Sequence, residues 1–136
     1  DVIVGTRGET DEYFEDAYRF IAGLDVTQLH VFSYSERPGT QALKIDHVVA
    51  PEEKHKRSQR LLTLSDEKTQ AFYVRHIGQT MPVLMEKTKA GMPMHGFTAN
   101  YIRVEVENDP SLDNKMVDVL LGELNEDGTA LKGTIL

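Results

Sequence analysis

Asp1-Val2-Ile3-Val4-Gly5-Thr6-Arg7-Gly8-Glu9-Thr10 is a short apolar strand that breaks into a Gly-x-x-Gly-Glu turn and then opens an amphipathic segment. Val2, Ile3 and Val4 form a β-branched run without polar alternation, which suits a parallel strand covered on both faces. Gly5 and Gly8 permit positive φ and close backbone approach. Thr10 is a good N-cap, and Asp11 and Glu12 follow where the helix dipole favours anions, so a helix should start at about residue 11. Its inward stripe is expected at Phe14, Ala17, Ile21 and Leu24, with Gly23 at the C-terminal cap. The apolar run Leu29-His30-Val31-Phe32 completes a strand, helix, strand unit. Read by itself, the glycine turn is equally a plain strand-to-helix connection of any α/β domain.

The chain has 136 residues, 40% of them hydrophobic, enough for one domain or two small ones. No stretch is apolar over a membrane-spanning length and none resembles a secretory leader, so no membrane association is expected. A start at Asp1, inside what reads as a buried strand, is expected of a piece of a longer protein. The absence of cysteine excludes disulfides, thiolate nucleophiles and cysteine-ligated clusters within these residues. A net charge of −7 argues against broad nonspecific binding of nucleic acid, so any RNA site must be a local patch.

The local exception is Lys54, Lys56, Arg57 and Arg60, on a second helix expected from Pro51 to about Gly78. These charges read as a solvated helix face with Glu53 and Arg57 as an i,i+4 pair, or alternatively as a phosphate-contacting face. After Gly78 the pattern changes to short alternating segments between Gly, Pro, Asn and Asp. Strands are expected at 82–87, 91–98, 100–107, 116–124 and 129–135, with Ile102, Val104 and Val106 inward and Tyr101, Arg103 and Glu105 outward. Asp127-Gly128 is a hairpin signal. Five such strands predict a small antiparallel closed barrel of the oligonucleotide-binding type, with the boundary between residues 77 and 78. None of the five histidines has metal-site spacing, and Ser33, His30 and Asp25 lack a nucleophile elbow, so neither a metal site nor a catalytic triad is expected.

Taken in order, Val2-Ile3-Val4-Gly5-x-x-Gly8-Glu9-Thr10, Val31-Phe32-x-Tyr34-Ser35-x-Arg37-Pro38-Gly39-Thr40, Arg57-Ser58-x-Arg60-Leu61 and Thr98-Ala99-Asn100-Tyr101 resemble the radical SAM methylthiotransferases. Within them the chain looks most like the branch that methylthiolates threonylcarbamoyladenosine in tRNA next to the anticodon. The resemblance implies a cytoplasmic enzyme that uses S-adenosylmethionine and two four-iron clusters. It makes residues 1–77 the end of a partial (β/α)6 barrel and residues 78–136 a TRAM domain that holds tRNA. It places Ile3, Gly5, Gly8 and Glu9 of a fifth barrel strand, and Phe32 and Tyr34 of a sixth, at the S-adenosylmethionine pocket. Arg37, Lys87, Lys89, Asn100, Tyr101 and Arg103, together with His95, become candidates to face tRNA.

There are departures from the family pattern. Thr6-Arg7 replaces the usual Phe-Pro, and Arg7 should add a cation near a site that handles carboxylates. The family's Cys-x-x-x-Cys-x-x-Cys loop is absent, so the chain alone is expected to hold no cluster and to be inactive. A different reading is a stand-alone module that binds RNA or a protein through its barrel. With an open sheet edge, the isolated chain is also expected to dimerise or to leave residues 1–40 poorly ordered.

Overall fold

The computed structural model describes all of residues 1–136. The chain forms two compact units, residues 1–69 and 70–136.

In the first unit, β1 (Val2–Val4) and β2 (Val31–Ser33) pair in parallel, Val2 opposite Val31, Ile3 opposite Phe32 and Val4 opposite Ser33. Between them runs α1 (Asp11–Ala22), which starts where the Thr10 side chain accepts a hydrogen bond from the Tyr13 amide. Its buried residue is Phe14, with Tyr18 and Ile21 packed beside it. Ala17 is exposed instead, because the strip that meets the core continues from Phe14 to Tyr18, one turn on. α2 (Pro51–Val74) is 24 residues long, about 36 Å at ~1.5 Å per residue. It presents Arg57, Leu61, Leu64 and Ser65 inward, and Leu61 and Leu64 join Val4, Phe14 and Leu29 in one core.

Only one face of this sheet is covered within the chain. Val4 is buried, whereas Ile3 is 58% and Phe32 53% exposed, so the expectation of burial on both faces does not hold here. Side-chain hydroxyls of α2 fasten the approach to β2. Ser65 accepts from the Leu29 amide at 2.9 Å and donates to its carbonyl at 3.2 Å, and Thr69 donates to the Thr27 carbonyl at 2.9 Å.

The second unit is a closed five-stranded barrel of β3 (Thr80–Met85), β4 (Met94–Thr98), β5 (Arg103–Val106), β6 (Met116–Leu124) and β7 (Leu131–Ile135). The order around it is β3-β4-β5-β7-β6. The sequence pattern finds all five strands and the inward set Ile102, Val104 and Val106. The barrel is mixed rather than wholly antiparallel, because β5 and β7 run in parallel. That pair follows from connectivity. β6 crosses to the free edge of β3 and runs against it, so β7, antiparallel to β6, must lie parallel to β5. Closure leaves no open edge in this unit.

The barrel core is Val83, Met85, Met94, Ile102, Val104, Val106, Val119, Leu121 and Leu131, with Tyr73 from the last turn of α2. Strands converge on Gly133, where a Cβ would sit 2.5 Å from Val119 Cγ1 and 2.7 Å from Val104 Cγ1. Replacing it overpacks the barrel. Gly133→Ala is expected to lower the barrel's stability by about 1–3 kcal/mol, read as a lower urea midpoint with unchanged slope.

Candidate functional site

After β1 the backbone turns through Gly5 at φ 78° and Gly8 at φ 86°. Such angles suit glycine, and at Gly5 a side chain would also strike the stem of Lys54, whose Cγ lies 2.3 Å from the ideal Cβ position. The turn is held from inside by Glu9. Its Oε1 accepts from the Gly5 amide at 2.9 Å and from Arg57 Nη1 at 2.9 Å. Arg57 Nη1 donates in addition to the Glu9 carbonyl at 2.9 Å, Nη2 to Asp11 at 2.7 Å and Nε to Glu53 at 3.3 Å. The Arg57 side chain is 4% exposed and its guanidinium carbon stands 5.4 Å from the centre of the Phe14 ring. Burial works to lower its pKa, but the hydrogen bonds it donates to Asp11 and Glu9 outweigh this and raise it.

The other turn cations are also engaged. Arg7 bonds Glu36 at 2.6 Å and the carbonyls of Leu43 and Ile45 at 2.8 and 3.2 Å, so it clamps the 36–45 segment and offers no free charge to a carboxylate ligand. Lys54 reaches the Tyr34 carbonyl at 3.3 Å, with its ammonium 5.5 Å from the centre of that ring. Arg60 pairs with Glu15 and stacks toward Tyr18.

The candidate pocket residues thus divide by role. Gly5, Gly8 and Glu9 form and lock the turn, and the Glu9 carboxylate faces Arg57. Ile3 and Phe32 sit side by side in register on the uncovered face. Tyr34 continues the ladder by donating its amide to the Val4 carbonyl at 2.8 Å, and its buried hydroxyl has no hydrogen-bond partner. Arg57, read from sequence as half of a surface pair, is the residue that pattern reasoning missed. The available signal was an arginine on the stripe of Leu61, Leu64 and Ser65, at spacings of four, seven and eight.

Within the barrel, the candidate RNA-facing residues are not brought to one place. Arg37 is exposed in the first unit, after β2. Lys87 and Lys89 are exposed in the β3–β4 loop, and Asn100 and Tyr101 lie in the β4–β5 loop. The two loops sit at opposite ends of β4, five residues or about 16 Å apart. Arg103 begins β5, 3.4 Å from the Thr129 hydroxyl. His95 is tied at 2.9 Å to Glu105, which also accepts from Asn125 at 2.9 Å. The Asn125 amide holds the Glu105 carboxyl below its ordinary pKa against the opposing effect of burial, with His95 assisting.

The Thr98-Ala99-Asn100-Tyr101 loop is tightly built. Thr98 exchanges backbone hydrogen bonds at 3.0 and 3.1 Å with the Ile102 carbonyl and the Tyr101 amide, and its hydroxyl accepts from Ile102 at 2.9 Å and donates to Asn100 at 2.6 Å. Tyr101 is held at φ 66°, where glycine or asparagine ordinarily closes a three-residue hairpin loop. A tyrosine there costs on the order of 1 kcal/mol.

Two outcomes are expected from this geometry. Arg57→Ala, which leaves the largely buried Glu9 carboxylate without its guanidinium partner, should cost the first unit about 3–5 kcal/mol, and the loss should be less than additive with Glu9→Gln in urea denaturation. Because the folded pKa of Glu105 lies below its unfolded value, its contribution is present above the carboxylate range and lost as pH falls through the folded value. Barrel stability should therefore decline below about pH 4.5, and Glu105→Gln should flatten part of that decline.

No protein-family model matches the chain. It is 33% identical over 123 residues to threonylcarbamoyladenosine tRNA methylthiotransferase MtaB of Bacillus subtilis, covering 88% of this chain and 27% of that protein. It is 32% identical over 139 residues to tRNA-2-methylthio-N(6)-dimethylallyladenosine synthase of Aliarcobacter butzleri, covering 100% and 31% respectively. The enzyme of the same name from Cronobacter sakazakii is 35% identical over 126 residues, covering 91% and 27%. The chain thus spans 27–31% of the length of these curated relatives. With likeness carried along nearly its whole length, the chain belongs to the radical SAM methylthiotransferase family as a carboxy-terminal segment of it.

Proposed function

We propose that the chain is the carboxy-terminal part of a tRNA-modifying radical SAM methylthiotransferase of the threonylcarbamoyladenosine branch. In this reading residues 1–77 end a partial (β/α)6 barrel and complete the S-adenosylmethionine pocket. Residues 78–136 form an OB-like TRAM barrel that binds tRNA, and the enzyme is cytoplasmic. The observation that carries the proposal is the register pair of Ile3 and Phe32, exposed next to a turn locked by Glu9 and Arg57. An uncovered apolar pair beside a rigid backbone turn suits the flat face of an adenine, and Tyr34 brings an unpartnered hydroxyl to the same strand.

Bound S-adenosylmethionine and the clusters would supply the radical and sulfur chemistry. This chain's residues bind and orient. With no cysteine among them, the thiolate ligands of both clusters must come from elsewhere in the parent protein, and the segment alone is not catalytic. For the barrel, the strand order first, second, third, fifth, fourth with one parallel pair supports the OB-like reading. Arg37, Lys87, Lys89, Asn100, Tyr101 and Arg103 would contact tRNA as separate patches. The uncovered strands β1 and β2 favour dimerisation of the isolated segment.

The test uses the full-length parent. Phe32→Ser and Ile3→Ser should each weaken S-adenosylmethionine binding about tenfold while tRNA affinity is kept. Wild-type protein should yield methylthiolated threonylcarbamoyladenosine in digested tRNA by mass spectrometry. Unchanged cofactor affinity in both variants would contradict the pocket assignment.

A further inference from the structure

One outward row of the barrel crosses four strands. Met116 of β6 lies opposite Leu84 of β3, Leu84 opposite Phe97 of β4, and Phe97 opposite Arg103 of β5. All four point away from the core formed by their neighbours Val83, Met85, Ile102 and Val104. Met116 is 63% exposed, Leu84 48% and Phe97 36%, an apolar row on an otherwise acidic chain. Strand spacing makes the row roughly 14 Å long. Beside it, the ring of Tyr101 is 78% exposed and shares with Leu84, Phe97, Met116, Met81 and Pro82 a groove of ≈ 370 Å³.

We infer that this row is a stacking platform for about two to three unpaired nucleotides of an RNA loop. The inference rests on the tRNA-binding reading and specifies which part of the RNA the barrel takes. Two aromatic rings, Phe97 and Tyr101, border one groove and offer π faces to bases. Cations stand at both ends: Arg103 completes the row, and exposed Lys115 precedes Met116. They can meet the phosphates of a strand that crosses the sheet, while the groove itself holds one carboxylate, Glu86. A duplex has its bases enclosed and demands a broad positive surface, which a chain of net charge −7 does not supply.

The backbone adds an independent argument. Tyr101 occupies a left-handed conformation that glycine would adopt without strain, and the loop around it is fixed by Thr98. An exposed ring held there at a conformational cost is deployed outward, where it packs no core.

Fluorescence anisotropy of this chain with a labelled seven-nucleotide single-stranded RNA, a hairpin whose stem is fully paired, and whole tRNA tests the inference. The single strand should bind at least tenfold more tightly than the paired stem. Phe97→Ala and Tyr101→Gly should each weaken single-strand binding about tenfold, and Tyr101→Gly should do so without loss of thermal stability. If both variants bind the single strand and tRNA as the wild type does, while Lys87→Ala with Lys89→Ala abolishes tRNA binding, the platform is wrong and the tRNA reading stands. If no RNA binds at all, both fall. A dimer that Phe97→Asp converts to monomer, with RNA binding intact, would show that a second copy occupies the row and would overturn the inference.

Discussion

A buried guanidinium holds the first unit together. Arg57 enters from the second helix, and its three nitrogens reach the carboxylates of Glu9, Asp11 and Glu53 and the Glu9 carbonyl. Through Glu9 it controls the Gly5 amide, so one side chain fixes the end of the first strand, the glycine turn and the start of the first helix. Ion pairs of this kind are costly to desolvate and repay the cost only when every donor is met. Here the hydrogen bonds at each nitrogen do that, and the gain is geometry. The turn that follows Ile3 is thereby tied by its Gly5 amide to the Glu9 carboxylate and through it to Arg57.

The second unit solves a different problem. Five short strands in under sixty residues would leave exposed edges as an open sheet, and closure removes them. Closure at this small radius requires close approach inside, supplied at Gly133, and leaves apolar side chains outside on a row that no other part of the unit covers. The strained Tyr101 loop stands beside that row. Stability and exposure are thus separated by strand alternation: Ile102 and Val104 hold the barrel while their neighbour Tyr101 is exposed and Arg103 half-buried on the outer face.

Much of this was legible because local patterns carry it. Thr10 with Asp11 marks the first helix, alternation at Ile102, Val104 and Val106 marks a half-buried strand, and Asp127-Gly128 marks the last hairpin. What was not legible depends on partners distant in sequence. The pairing of Arg57 with Glu9 spans 48 residues, and from its own helix Arg57 shows only its neighbour Glu53. The parallel pair of β5 and β7 follows from where β6 inserts, which no single strand's pattern records. Arg7 looked like a free cation because Glu36 and the Leu43 carbonyl lie far along the chain. Likewise the register that aligns Met116, Leu84, Phe97 and Arg103 exists only after closure.

The strand pair beside the locked turn is proposed to form one wall of a nucleoside-binding pocket in the parent enzyme. Photolabelling the full-length, cluster-loaded protein with an azido-adenine analogue of S-adenosylmethionine, followed by peptide mapping, tests it most directly. The label should fall on peptides containing Ile3 or Phe32 and be displaced by unlabelled S-adenosylmethionine. Competable labelling confined to peptides outside residues 1–40 would contradict this placement of the cofactor.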